Sequence, residues 1–348
     1  MRGLQRNAYL AATVATVFLV IAIIAGSRRL QNFDPALIGY LFGTIFACFG
    51  IVFRFTCWLQ RPPTWRFFCR TWEILFSRRG PKLIGLIVKE AIEKLALQRF
   101  ILNRGNKRWA GHMLMAWGCL LAFAITIPLT FGWIEFILKS GTIDTYIVRT
   151  FGFPVFAFEL HTVPAFVIFH ALDWASIAVI LGVGILMFRR VSNPGLIATQ
   201  NFGDDWLPLI LLMAIAITGL GLTLDYDHLH GSVHQFMAIT HELTVIFFLV
   251  WLPFGKFFHV VQRPMQIGVD LYRRVGGEGE QAICPHTGQV FATKMHIDDL
   301  KTVTLQLGFD FTRQDGTSHL DLSPQGKRAA LARAHSKARE ESGGGYFG

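Results

Sequence analysis

The sequence predicts an all-α integral membrane protein, organised as a six-helix transmembrane bundle with a small cytoplasmic C-terminal tail. Of the 348 residues, 52% are hydrophobic and only 16% are charged. The mean hydropathy is +0.43, and the apolar residues form long blocks. The basic residues behind the net charge of +10 flank these blocks, which is typical of membrane topology. We therefore expect a lipid bilayer around the chain and no nucleic-acid partner.

Six apolar segments have the ~17 or more residues that a spanning helix needs. They are approximately Tyr9–Ala25, Leu37–Leu59, Gly111–Ile134, Pro154–Phe188, Trp206–Leu224 and Val233–Val261. The fourth is longer than a span requires, so it must tilt or begin later than its apolar edge. The first resembles a signal peptide, but we expect it to be an uncleaved anchor.

Lysine and arginine predict the orientation of these segments. Twelve of them lie in the connection 61–108, and Arg189 and Arg190 close the fourth segment. Basic loops stay on the cytoplasmic side, so we predict a multi-pass protein of the inner (cytoplasmic) membrane with both termini in the cytoplasm. Arg28 and Arg29 are an exception, because they fall on the outer side.

The segments divide the chain into four regions. Residues 1–60 hold two N-terminal transmembrane helices, 61–110 form a basic amphipathic cytoplasmic connection, 111–274 form a four-helix core, and 275–348 form a partly disordered cytoplasmic tail. Within the connection, "LIGLIVKEAIEKLAL" at 83–97 has helical amphipathic spacing. It indicates a helix on the membrane surface or against a partner, or a solvated helix packed on the bundle ends.

Four of the twelve histidines lie in or near apolar segments at matching depths, namely His112, His170, His241 and His259. On one continuous helix, the eighteen residues from His241 to His259 would make five turns, so both rings would share a face about 27 Å apart. His112 and His259 lie near the cytoplasmic border, and His170 and His241 near the outer one. Two levels of paired imidazoles predict two b haems.

Alternatives remain for these histidines. His161 competes with His170 for the outer haem, and a membrane histidine also serves as a proton or quinone ligand or as a hydrogen-bonded structural residue. Arg54 and Lys256 are candidates to neutralise haem propionates, although Arg54 could instead snorkel to the surface.

Protonatable side chains cluster near the outer level. They are Glu159, His161, Asp225 and His228. Quinol oxidation releases two protons, so these groups form a candidate quinol site with catalytic proton acceptors. The alternative is an ordinary polar loop.

The stretch "HELTVIFFLVWLPFGKFFHVVQRP" resembles the last helix of the gamma subunit of respiratory nitrate reductase. It is also similar to the membrane cytochrome b subunits of heterodisulfide-reductase and sulfite-reductase-linked complexes. In that family two histidines eighteen apart, with Pro-Phe before the second, ligate two b haems, and His241, His259 and "PF" at 253–254 match. "RWAGHMLMAWG", with His112, resembles the earlier ligand helix. The resemblance covers roughly 105–275; the nitrate reductase subunit has five spans and both partner histidines on one helix, so His170 is assigned by depth alone.

The resemblance implies a di-haem cytochrome b subunit of a quinone-linked oxidoreductase complex. It would pass electrons between menaquinone or ubiquinone and a cytoplasmic iron–sulfur partner, in a direction that the sequence leaves open. Five scattered cysteines without a C-x-x-C pair argue against a cluster within this chain. The alternatives are a haem-free membrane anchor and a proton-coupled transporter, against which we count the absence of repeated halves and of short broken helices.

The tail contains "CPHTG" and "SPQG", which look like the two knuckles of a zinc ribbon that has lost three cysteines. One interpretation is that Cys284, His286, His296 and His319 form a zinc site in place of the missing cysteines. A metal-free docking element is the favoured one.

Overall fold

The computed structural model describes residues 2–313 and 316–343, and most of them are helical. The α-helices are α1 (Arg2–Gly26), α2 (Ile38–Leu59), α3 (Pro62–Leu75), α4 (Gly80–Ala91), α5 (Arg99–Leu102), α6 (Asn106–Thr130), α7 (Val163–Phe169), α8 (Ala171–Val191), α9 (Pro194–Ile197), α10 (Leu207–His228), α11 (His234–Trp251), α12 (His259–Gln262), α13 (Met265–Glu278), α14 (Lys294–Gln306) and α15 (Pro324–Glu341). The strands are β1 (Ile134–Leu138), β2 (Thr145–Thr150), β3 (Phe153–Glu159), β4 (Gln281–Ile283) and β5 (Val290–Thr293).

The chain forms two compact units whose boundaries differ from the predicted regions. The first unit comprises Met1–Cys57 and Ala91–Gln262, and the second comprises Trp58–Glu90 and Arg263–Gly348. The tail therefore joins the first part of the basic connection in one unit. The boundary predicted after Arg274 falls inside α13, and the last residues of the predicted disordered end, 344–348, lie outside the described part of the chain.

Membrane-spanning helices dominate the first unit. Among the described residues, α1, α2, α6, α8 and α10 are each long and apolar enough to cross a bilayer, and α11 with α12 makes a sixth span if that bent pair is counted as one. The prediction of a multi-pass membrane protein is thereby confirmed. The predicted fourth segment begins too early, because its first residues form β3 and the spanning helix starts only at Ala171.

A three-stranded antiparallel sheet, in the order β1-β2-β3, lies between α6 and α8 in the chain. Strand β3 replaces the start of the predicted fourth segment, whereas β1 and β2 lie almost wholly in the connection predicted between the third and fourth segments. Val148 and Phe158 from the sheet are buried together with Ala165 of α7. The alternating aromatic and β-branched residues favour strands, and Phe151 and Gly152, both at positive φ, form the turn before β3. The all-α prediction is right for the spans and wrong for this segment.

The core of the first unit joins five helices. Its buried residues come from α2, α8, α10 and α11: Ala47, Val179, Val183, Leu186, Leu209, Leu211, Leu212, Ala216, Phe248 and Leu249. Side chains of α6 pack against them. Helices α6 and α8 cross at glycines, since a Cβ on Gly182 would lie 2.6 Å from the Gly111 carbonyl oxygen. Glycine therefore lets the two backbones touch, as is usual in membrane helix packing.

The exception to the charge rule has a structural explanation in the first unit. Arg28 forms an ion pair with Glu135, which also accepts a hydrogen bond from Asn32 Nδ2 at 2.8 Å. Arg149 lies 3.8 Å from the same carboxylate. Arg28 is thus part of a local polar cluster that joins the α1–α2 loop to the sheet.

In the second unit, side chains of two other helices contact one buried carboxylate, that of Asp299 on α14, which is 5% exposed. It accepts hydrogen bonds from Arg66 Nε at 2.6 Å and from Arg70 Nη2 at 2.8 Å, both on α3. The Tyr272 hydroxyl of α13 donates to it at 2.9 Å. Burial raises the pKa of Asp299, but the bonds from Arg70, Arg66 and Tyr272 outweigh burial and leave the pKa below its ordinary 3.8. Three helices therefore meet at a carboxylate that is ionised at neutral pH.

We expect Asp299→Ala to destabilise the second unit by roughly 3 kcal/mol, because it leaves two partly buried arginines without their counter-ion. Faster amide hydrogen exchange in α3, α13 and α14 of the full-length chain would show the loss. Since the folded-state pKa is lowered, this stabilisation is present at neutral pH and disappears as the pH falls below about 3.8 through the lowered value. The exposed neighbour Asp298→Ala is the control; equal exchange in both variants would contradict the role of Asp299.

Candidate functional site

The four predicted haem ligands lie on different elements of the first unit, and all four are half-buried. His112 is in α6, His170 lies between α7 and α8, His241 is in α11, and His259 is the first residue of α12. By contrast, the competing His161 is exposed. This difference in burial favours His170 over His161 as a ligand within the bundle.

The predicted continuous helix from His241 to His259 is wrong. Helix α11 ends at Trp251, and the chain resumes helical structure at Lys256 with a bend of 66°. Pro253 lies in the break. Proline has no backbone N–H, so within a continuous helix it would leave one carbonyl group without its hydrogen-bond donor. The five-turn spacing, the distance of about 27 Å and the shared face therefore do not hold for this pair.

Arg54 of α2 donates hydrogen bonds to two backbone carbonyl groups at the break. Its Nη1 donates to the Pro253 carbonyl oxygen at 2.5 Å and to the Gly255 carbonyl oxygen at 3.3 Å. Its guanidinium also stacks over the Phe258 ring, with Cζ 4.3 Å from the centroid. The structure thus gives Arg54 a backbone-capping role, and its contact with a haem propionate stays a prediction.

Lys256, the second cation predicted to face a propionate, is also engaged. Its Nζ lies 2.7 Å from Asp205 Oδ1, and Arg190 of α8 lies 3.3 Å from the same oxygen. This cluster joins the segment after the break to the end of α8 and to the residues just before α10. The propionate role of Lys256 stays a prediction as well.

The four histidines share one feature that the sequence did not reveal: the Nδ1 atom of each is hydrogen-bonded. The partners are Gln98 Oε1 at 2.6 Å for His112, the Phe166 carbonyl oxygen at 2.9 Å for His170, Thr218 Oγ1 at 2.9 Å for His241 and the Lys256 carbonyl oxygen at 2.5 Å for His259. A carbonyl only accepts, so Nδ1 of His170 and His259 carries the proton. In a neutral ring the lone pair is then on Nε2.

The same tautomer follows for His241. The Thr218 hydroxyl donates its proton to the Ala214 carbonyl at 2.7 Å, so its oxygen accepts from His241 Nδ1. The next residue, Gly219, makes room for the ring, because a Cβ there would lie 3.2 Å from His241 Cε1. The sequence analysis missed Thr218 and Gly219; a Thr-Gly pair within an apolar span was the available signal.

Gln98, the partner of His112, was also missed. It is 9% exposed and adopts the left-handed conformation, with φ of 49°, just before α5. A buried glutamine at positive φ is uncommon, because β-carbon sterics disfavour this region. It lies fourteen residues from His112, and no sequence pattern pairs the two positions.

Of the four residues predicted for quinol chemistry, Asp225 alone is buried, at 1% exposure. Its Oδ1 accepts the Val233 backbone N–H at 3.1 Å and thereby holds the α10–α11 turn. Throughout the described residues, its Oδ2 has no hydrogen-bond donor, although Nδ1 of the exposed His234 lies 3.7 Å away. A buried carboxylate oxygen beside an exposed imidazole is suited to accept a proton and release it.

The other three residues of that group are exposed. Glu159 ends β3, His161 follows it, and His228 ends α10. A second carboxylate lies inside the bundle, since Asp173 Oδ1 on α8 accepts the Thr223 hydroxyl of α10 at 2.8 Å.

In the second unit, the two zinc-ribbon-like turns do meet. Cys284 is fully buried, and the Thr287 and Ser323 hydroxyls lie 3.2 Å from each other. Burial raises the pKa of the Cys284 thiol, but hydrogen bonds from Ser323, Thr287 and the His286 backbone outweigh it and lower the pKa to about 6. Within 2–313 and 316–343, no three or more His, Cys, Asp or Glu side chains are grouped closely enough to hold a metal ion. The site proposed from Cys284 and three histidines is therefore not assembled.

No known family model matches this sequence, and neither a curated protein nor a solved structure matches it. The resemblance to the nitrate reductase gamma subunit stays a prediction. The functional argument therefore rests on the geometry of the histidines and of the buried carboxylates.

Proposed function

We propose that this chain is a di-haem cytochrome b subunit of a quinone-linked electron-transfer complex in the inner (cytoplasmic) membrane. The observation that carries the proposal is the hydrogen bond at Nδ1 of His112, His170, His241 and His259. A metal-ligating histidine almost always donates its other ring N–H to an acceptor, which fixes the tautomer and the ring orientation. Four half-buried histidines on four elements all meet this condition.

In this proposal His112 and His259 would hold one b haem, and His170 and His241 the other. Bound haem would supply an iron that gains and loses one electron at a time. The chain's own residues orient the rings: Gln98 and the Lys256 carbonyl hold the first pair. The Phe166 carbonyl and Thr218 hold the second pair.

The proposed quinol site lies at the end of the bundle that carries Asp225. Oxidation of a quinol, menaquinol or ubiquinol, releases two electrons and two protons, so a base must be present. Asp225 Oδ2 takes a proton and passes it to the exposed His234, 3.7 Å away. Glu159, His161 and His228 are further acceptors on the exposed surface of this end. The same groups serve the reverse reaction.

At the other end, we propose that a soluble iron–sulfur subunit docks on the cytoplasmic face. The supporting features are the basic connection with its 83–97 helix and the second unit. Helix α15 presents exposed Arg328, Arg333 and Arg339. A positive surface attracts an acidic partner.

A proton-coupled transporter is the second candidate, and one observation now favours it. Broken helices are typical of transporters, and α11 and α12 are separated by such a break, contrary to our expectation. In such proteins the free carbonyls bind the transported ion. Here Arg54 occupies those of Pro253 and Gly255, which favours the cytochrome.

The haem proposal predicts two low-spin b haems per chain. We expect His241→Ala to remove one haem and His259→Ala the other, as counted by reduced-minus-oxidised spectra and pyridine haemochrome assay. Thr218→Val should weaken binding at His241 by about 10- to 100-fold, because the ring loses its acceptor. The exposed His335→Ala on α15 is the control. A purified, folded chain without haem absorbance after haem supplementation would reject the proposal and leave the transporter or anchor.

The quinol proposal predicts that Asp225→Asn slows haem reduction by a quinol about 100-fold, since an amide cannot take the proton. The amide oxygen still accepts the Val233 N–H, so the turn should remain folded. Dithionite reduction of the haems should be unchanged. Exposed Asp227→Asn is the matched control. If both variants react with quinol as fast as the parent chain, Asp225 is not the proton acceptor.

The docking proposal is tested on the surface of α15, because deletion of the tail would also remove Asp299 and disrupt its own unit. We expect Arg328→Glu combined with Arg333→Glu to reduce co-purification of iron–sulfur subunits at low salt. Association of the parent chain should weaken as salt rises, through screening. Unchanged partner stoichiometry in the variant and at both salt concentrations would count against docking here.

A further inference from the structure

Helix α3 has two faces with different roles. One face packs inside the second unit, where Phe67 stacks edge-on against Tyr272 with centroids 4.9 Å apart. Thr71 on the same face meets Gly268 of α13, where a Cβ would lie 2.4 Å from the threonine hydroxyl. Arg66 and Arg70 form ion pairs with Asp299, so this face of α3 packs against α13 and α14.

The opposite face carries a continuous row of aromatic rings. Trp65 and Phe68 stack with centroids 5.5 Å apart, Phe68 and Trp72 meet edge-on at 6.0 Å, and Trp72 and Phe76 stack at 5.5 Å. Spacings of three and four residues keep these rings on one stripe of the helix. Trp65, Trp72 and Phe76 are 47%, 45% and 83% exposed. The second unit thus shows a large apolar surface that its own core does not cover.

Charge and chain connection indicate what covers it. Residues 61–90 contain seven Lys and Arg but two Glu. Two of these arginines bind Asp299, and the exposed ones are Arg61, Arg78, Arg79, Lys82 and Lys89. Gln60 and Arg61 alone separate the end of the spanning α2 from the start of α3. The aromatic row is therefore tethered within a few residues of the bilayer.

We infer that the aromatic face of α3 lies in the headgroup region of the bilayer that this chain spans, with the flanking arginines and lysines on anionic phosphates. Tryptophan and phenylalanine next to basic residues are typical of helices that lie in the membrane interface. Basic side chains near an anionic membrane surface are attracted to it. This inference is independent of haem and quinone, and it gives α3 a lipid partner distinct from the protein partner of α15.

Photo-cross-linking of the full-length chain tests the inference. Benzoylphenylalanine is incorporated as Trp72→benzoylphenylalanine or Phe76→benzoylphenylalanine, in nanodiscs of phosphatidylcholine with or without phosphatidylglycerol. The matched control is Leu331→benzoylphenylalanine on α15, since Leu331 is 60% exposed in the same unit. We expect phospholipid adducts from positions 72 and 76, detected by mass spectrometry, and none from position 331.

The charge component has its own result. The adduct yield from position 72 should rise with phosphatidylglycerol, and Arg78→Gln with Arg79→Gln should abolish that rise. Equal lipid labelling from positions 72 and 331 would overturn the inference, as would adducts from position 72 that join two protein chains. An adduct yield that is the same with and without phosphatidylglycerol would overturn the role of the basic residues.

Discussion

Backbone carbonyl groups inside a membrane need hydrogen-bond donors. At the α11–α12 break this requirement fixes how α2 contacts the residues around the break. No water is available in the hydrocarbon to satisfy such groups. Arg54 of α2, almost two hundred residues earlier in the sequence, supplies such donors. The direction of α12 after the break therefore depends on a contact with α2. His259 and Lys256 follow the break directly, and both take their positions from it.

Glycine makes this arrangement compatible with close packing. A Cβ on Gly50 would lie 2.7 Å from the Pro253 ring, and one on Gly43 would lie 3.1 Å from Leu249. Nearer the start of α2, a Cβ on Gly39 would lie 2.6 Å from side-chain atoms of Glu242 and Ile246 on α11. This stripe brings α2 against α11 so closely that the Arg54 side chain reaches the carbonyls. Helix α2 therefore packs along its glycine stripe against side chains of α11, the helix that carries His241.

Hydropathy was sufficient to predict the spans, because bilayer thickness imposes a length that any apolar run displays. It could not separate Pro154–Glu159 from the span that follows, since strand and helix are equally apolar there. Pro253 was visible in the sequence, but the apolar residues on both sides concealed the bend. The hydrogen-bond partners Gln98 and Thr218 lie 14 and 23 residues from their histidines, and only tertiary structure pairs positions so separated.

The second unit is assembled from two stretches that lie far apart in the sequence, and this affects the order of events during synthesis. Arg66 emerges 233 residues before its partner Asp299. At translation rates of ~5–20 residues per second, α3 waits roughly 10 to 50 seconds before the carboxylate exists. During that interval the ribosome delivers α6, α8, α10 and α11 to the membrane, while the arginines of α3 stand without their counter-ion. The Asp299 contacts of this unit therefore form only after those helices have been synthesised.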